Sequence, residues 1–212
     1  VDWILFTMPK GIKMIHYFLS GDLNYDYRDS WKKYAGHMEH KHWHADNLPV
    51  QQYPEIVKYI EAGKWSIVSD FVRRWAIYTY GGIYLDFDVE LIKPIDHLLD
   101  EYAFICIEGP PAFANAAVTG GKAGNKHHKG MLTGYFNILS RGNPQPNEVG
   151  PGEATEYLKF IGGTPDIDKI TEIDGLKTLP KEYFYPFNYN ETYTPECITE
   201  NTLGIHWWKK GW

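Results

Sequence analysis

With 212 residues, 43% of them hydrophobic and 23% charged, the chain has the composition of one soluble globular domain able to bury a sizeable core. Its formal net charge of −6 argues against a general nucleic-acid binder, which needs basic surface, and no apolar run approaches the roughly 20 residues of a membrane-spanning helix. The two cysteines, Cys106 and Cys197, match no metal-binding spacing and read as free thiols in a reducing compartment, with a single disulfide between them as the alternative. Residues 1–212 are taken as one domain, with 1–8 as an extension ahead of Met8 and the whole as a monomer or one module of a longer protein. The expected setting is cytoplasmic, or luminal if the full chain carries a signal anchor.

In chain order, Ile12 to Leu19 is an apolar run ending at Ser20-Gly21 and predicts a first strand. Asn24 to Tyr34 reads as a helix with Asn24 or Asp26 as cap and Trp31 on its inner face. Met38 to Trp43 reads as a strand, and Pro54 to Ala62 as a helix closed by Gly63. Trp65 to Tyr80 carries Ile67, Val68, Phe71, Trp75 and Tyr78 at helical spacing and stops at Gly81-Gly82. Strands follow at Ile83 to Leu85, Val89 to Ile92, Phe104 to Ile107 and Ala116 to Thr119. Helices are expected over Lys129 to Leu139 and Glu153 to Phe160, then an irregular tail from Pro180 and a last strand near Leu203 to His206. This alternation predicts an α/β domain with a mostly parallel sheet flanked by helices, whose ligands bind beyond the carboxyl ends of the strands.

Asp86 and Asp88 stand at such an end, after Ile83-Tyr84-Leu85. In an extended chain, positions i and i+2 point to the same side, so the two carboxylates face one point while Phe87 turns into the packing. Hard oxygen ligands in a pair suit a divalent cation that also takes phosphate oxygens. Asp70 and Arg73, three apart on the preceding helix, share a face. They read either as a surface ion pair or as a carboxylate and guanidinium that meet sugar and phosphate oxygens. His40, His42 and His44 alternate along a strand but are poorly placed to converge on zinc. The segment Gly120-Gly121-Lys122-Ala123-Gly124-Asn125-Lys126 lacks the ending of a phosphate loop and is expected to form a mobile loop near the acceptor.

The segments PKGIKMIHYFLSG (Pro9 to Gly21), SDFVRRWAIYTYGGIYLDFDVELIKPI (Ser69 to Ile95) and HWWKKGW (His206 to Trp212) resemble the DXD-containing sugar-transferase family. That family includes initiating α-mannosyltransferases, bacterial capsule enzymes and viral glycosyltransferase domains, with the large clostridial glucosylating toxins as distant relatives. The resemblance implies a GT-A fold and a retaining, metal-dependent hexosyl or deoxyhexosyl transferase. The donor would be a UDP-sugar, the cofactor Mn²⁺ or Mg²⁺, and the acceptor a glycan of a surface, capsule or capsid polymer. By position, Asp86, Asp88 and Arg73 are the expected catalytic residues, and Asp86, Asp88 and His206 the expected metal ligands. Phe18, Leu19, Trp65, Ser69, Asp70, Arg73, Tyr84, Asp86, Asn115, Lys209 and Trp212 are the expected donor contacts. Leu19 stands where relatives stack a tryptophan on uracil, which leaves backbone groups at this strand end to meet the base. Gly150-Pro151-Gly152-Glu153 resembles a turn that opens a helix beside the sugar. Front-face attack is expected, with the leaving phosphate taking the proton. The alternatives are a carbohydrate-binding module of the same fold and a metal-dependent nucleotide-sugar phosphohydrolase.

Overall fold

The computed structural model describes residues 13–20, 25–109, 113–142, 144–145, 148–164 and 166–209. The expectations placed on Ile12, Gly21, Asn24, Gly211 and Trp212 lie outside these residues. Strand β1 (Met14–Phe18) is followed by helix α1 (Arg28–Ala35) and β2 (Glu39–Trp43). Asp26 accepts from the Arg28 backbone N–H at 2.9 Å, steadying the entry to α1, and Trp31 is fully buried on its inner face. A short α2 (Val57–Glu61) leads into α3 (Trp65–Tyr80), whose limits match the apolar periodicity. Gly81 and Gly82 then take φ of +71° and +99°, and a Cβ on Gly82 would lie 2.5 Å from the Met14 carbonyl oxygen. Only glycine fits such a turn pressed against a neighbouring strand.

Strand β3 (Gly82–Leu85) enters the sheet at once, and β4 (Val89–Leu91), β5 (Ala103–Ile107) and β6 (Ala114–Gly121) follow. Helices α4 (Lys126–Ser140) and α5 (Pro151–Phe160), strands β7 (Thr171–Ile173), β8 (Leu176–Leu179) and β9 (Gly204–His206) complete the order. The main sheet has seven strands among the described residues, in the order β2-β1-β3-β6-β5-β8-β7. The pairing makes β1, β2, β3, β5 and β8 run one way and only β6 and β7 the other. The α/β class and mostly parallel sheet expected from the sequence are thus found.

Strand alternation sorts the core into layers. Ile15, Tyr17, Ile83, Leu85, Phe104 and Cys106 face one side with Trp31 of α1. Phe18 and Tyr84 face the other with Phe71 and Val72 of α3, and Ile105 and Ile107 pack on Met131 and Leu158 of α4 and α5. Both cysteines are free, Cys106 buried and Cys197 half-buried.

Three expectations change. Strand β4 leaves the main sheet and pairs only with β9. The β7–β8 hairpin, turning at Asp174-Gly175, falls where no strands were expected. Gly120 and Gly121 are not a loop near an acceptor: they end β6, paired with Ile83 and Gly82 at the edge of the sheet opposite Asp86. Among the described residues no helix is long and apolar enough to cross a membrane.

Candidate active site

Because β1, β3 and β5 are co-directional, Leu19, Asp86 and Glu108 follow their carboxyl ends on one edge of the sheet, where the start of antiparallel β6 adds Asn115. The two aspartates do not alternate on an extended strand, as expected. Strand β3 ends at Leu85, and Asp86 to Val89 close a turn in which the Asp86 carbonyl accepts from the Val89 N–H at 3.0 Å. The turn still buries Phe87 against Tyr17, Tyr25 and Trp31 and leaves both carboxylates on the site side. The Asp86 N–H is tied to the Ala117 carbonyl at 2.7 Å, which fixes where the turn begins.

The β4–β9 pairing sets Val89 opposite His206 and so delivers the imidazole from a distant part of the chain. His206 Nε2 lies 3.1 Å from Asp88 Oδ1, and the backbone N–H of Lys209 donates to Asp88 Oδ2 at 2.8 Å. One ligand atom from each of Asp86, Asp88 and His206 falls within 4.8 Å of the other two. Two carboxylates and one imidazole at that spacing form a donor set that suits Mn²⁺ or Mg²⁺. His206 Nδ1 is buried and has no hydrogen-bond partner among the described residues.

Arg73 joins α3 to this turn. Its guanidinium donates to both Asp86 oxygens at 3.1 and 3.3 Å and to Ser69 Oγ at 3.2 Å, and its Nε stands 3.4 Å from Asp70 Oδ1. The pair is no surface ion pair: Asp70 and Arg73 are each only 6% exposed. Gly150, at φ +66°, presses on Asp70, since a Cβ there would lie 2.8 Å from Oδ1. Arg74 holds that glycine, donating to its carbonyl at 3.0 Å while binding Glu153 Oε2 at 3.0 Å.

Burial raises the Asp86 carboxyl above the usual carboxylate range, although Arg73 pulls it down. Burial also opposes ionisation of Asp88, but His206 and the Lys209 N–H hold it below that range. Burial disfavours the His206 imidazolium, yet Asp88 lifts it above the ordinary histidine value. The Tyr25 phenol, beside the turn, is pushed up to about 12 by burial and by Asp88 and Asp86.

The other expected contacts fall as follows. Trp65 is half-buried at the start of α3, its ring 6.3 Å from that of the fully buried Phe18. Tyr84 is fully buried, with Arg73 over its ring at 5.3 Å. Ser69 is buried and donates to the Ser66 carbonyl. The Leu19 backbone is not left for a base: its N–H donates to the Trp43 carbonyl at 3.1 Å and its carbonyl meets His42 Nε2 at 3.2 Å. Lys209 reaches Asp88 through its backbone, with its side chain exposed. Lys210 and Trp212 lie outside the described residues. His40 and His42 bind the Ala35 and Leu19 carbonyls, which fits a structural role and no zinc site.

Residues 22–105 match the family described as a glycosyltransferase sugar-binding region containing a DXD motif. That match covers less than half of the chain. Asp86-Phe87-Asp88 lies within the matched residues and has the spacing of a DXD motif, and the resemblance read from the sequence is borne out. The fold is similar to that of the solved PaToxG glycosyltransferase, at 17% identity and a TM-score of 0.54 over 70% of this chain and 69% of that one. A glycosyltransferase involved in glycosylation of the major capsid of PBCV-1 aligns over 92% of this chain and 93% of its own, at 15% identity and a TM-score of 0.47. No curated protein matches the sequence.

Two residues at this site escaped the sequence reading. Tyr185 sets its ring edge-on to His206 at 5.4 Å and its hydroxyl 3.4 Å from the Asn115 carbonyl. Glu108 accepts from Asn115 Nδ2 at 2.6 Å. A signal for Glu108 was available: it follows a buried strand directly, as Asp86 follows Leu85.

Proposed function

We propose that the chain is a retaining hexosyl or deoxyhexosyl transferase that takes its sugar from a UDP-sugar, depends on Mn²⁺ or Mg²⁺, and builds a surface, capsule or capsid glycan. The observation that carries this reading is the convergence of Asp86, Asp88 and His206 at the carboxyl edge of the sheet, with Arg73 and Asp70 beside them. A diphosphate leaving group carries about two to three negative charges at neutral pH, which bare carboxylates would repel. A divalent cation on these three ligands would offset that charge and stabilise the leaving group.

The chain's own residues do the rest. Arg73 donates to both Asp86 oxygens and so orients that carboxyl group beside Asp88 and His206. Asp70, backed by Gly150, offers carboxylate oxygens to donor-sugar hydroxyls. Trp65, half-buried and backed by the buried Phe18, gives an aromatic margin for the uracil. No carboxylate is assigned as a nucleophile, so the acceptor hydroxyl attacks on the face the diphosphate leaves. The protein contributes position and charge complementarity.

The test is UDP release from a panel of nucleotide sugars, with and without Mn²⁺ and with and without glycan acceptors. Metal-dependent release from UDP-sugars, stimulated by an acceptor, is the expected result. A binding module would release no UDP and would keep glycan affinity in Asp86→Ala and Asp88→Ala. A phosphohydrolase would cleave equally well without acceptor and show no preference for uridine.

A further inference from the structure

Asn115 does not present a free amide to the donor. Its Oδ1 accepts from the Ala117 N–H at 2.8 Å and its Nδ2 donates to Glu108 Oε2 at 2.6 Å, so both ends of the amide are engaged within the chain. The residue that gains by this is Glu108. It stands one position beyond β5, on the sheet edge that carries Asp86. Its N–H donates to the Phe113 carbonyl at 2.9 Å, which fixes the backbone there. It makes no ion pair among the described residues, where Asn115 is its one side-chain hydrogen-bond partner. Burial raises its carboxyl, and His206 is near enough to act on it. The other Glu108 oxygen has no partner among the described residues and is not sealed from solvent, so it is open to a polar ligand that would replace water there.

We propose that Glu108 binds a hydroxyl of the donor sugar, so that Asn115 is its positioning residue and the site takes hydroxyls from two elements, Asp70 on α3 and Glu108 at the end of β5. This rests on the UDP-sugar reading above and narrows it. The pocket then favours a hexose with a free hydroxyl at the Glu108 position and disfavours the sugar deoxygenated or blocked there. A site built to take a hydroxyl's hydrogen bond rejects an analogue lacking it, because the buried polar group is left unpaired.

The experiment measures affinities of the intact protein for UDP and for UDP-hexoses, each lacking one hydroxyl, in Mn²⁺. Wild type is compared with Glu108→Gln and Glu108→Ala, and thermal melting checks that each variant folds. UDP affinity should stay within about twofold, while that of the parent UDP-hexose falls about tenfold or more in Glu108→Ala, as for a hydrogen bond to a charged group. One deoxy donor should already be weak in wild type and lose nothing further in the variant, the signature of direct coupling. Asn115→Ala should weaken the parent hexose in the same pattern. Unchanged ratios of hexose to UDP affinity in folded Glu108 variants would overturn the assignment. Failure of wild type to bind UDP with metal would instead overturn the donor reading on which it stands.

Discussion

Arg73 faces two buried carboxylates at once, Asp70 at 3.4 Å and Asp86 at 3.1 Å. Removing one partner of such an arrangement leaves uncompensated charge in the interior, which costs about 3–5 kcal/mol. Arg73→Met should therefore lower unfolding free energy by about that much in urea titrations, so its loss of activity will mix chemistry with folding. Asp88→Asn should separate the two. The amide oxygen keeps an acceptor for the Lys209 N–H, and its NH₂ can donate to a neutral His206 in place of the lost ion pair, so stability should fall by about 1–2 kcal/mol while metal-dependent UDP binding disappears. A variant that unfolds, or that still binds UDP through metal, would contradict this division of roles.

At the scale of elements, the site depends on where α5 begins. Arg74 and Glu153, both almost fully buried, tie the first turn of α5 to α3, and Gly150 occupies the space left beside Asp70. Burial raises the Glu153 carboxyl to about 7 against the pull of Arg74. Gly150→Ala meets both a positive φ and a 2.8 Å approach to Asp70 Oδ1. It should destabilise by about 1–3 kcal/mol and weaken UDP-hexose binding more than UDP binding, measured by melting and calorimetry. Equal loss for both ligands would show that Asp70 has no part in holding the sugar.

The elements also show what could be read in advance. Helix α3 was legible to its last residue because helical periodicity and two glycines agree at one boundary. The β7–β8 hairpin was legible but overlooked: Asp174-Gly175 between Ile173 and Leu176 is the two-residue turn signal for tight hairpins, with both residues at positive φ. The acidic pair was found for a reason the structure revises, since a turn and not strand alternation brings Asp86 and Asp88 together. What could not be read was long-range pairing. The β4–β9 ladder that puts His206 against Asp88 rests on two three-residue strands, too short to show a period. The engagement of Asn115 with Glu108 depends on the register shift in β5–β6, which no local pattern announces.

For the molecule as a whole, acid is the weak direction. His16 is fully buried, accepts from the Trp43 indole at 3.1 Å through Nδ1 and meets the Gly81 carbonyl at 2.8 Å through Nε2, so it is held neutral. Burial lowers it to about 4. A histidine lowered on folding contributes fully above its unfolded value near 6.5, and that stability is lost as pH falls toward 4. Between pH 7 and pH 5 the loss from His16 should be about 2 kcal/mol, with His128, also held well below its ordinary value by burial, adding to it. Urea unfolding at the two pH values should show a smaller drop in His16→Gln than in wild type; an identical drop would remove His16 from the account.

In the proposed function, Asp86, Asp88 and His206 hold a cation for a nucleoside diphosphate. Calorimetric titration of UDP into the protein, with and without Mn²⁺, tests it most directly. Affinity should rise by about 100-fold or more with metal, worth about 2.7 kcal/mol, and the gain should vanish in Asp88→Asn. Equal UDP affinity with and without Mn²⁺ in the wild-type protein would contradict it.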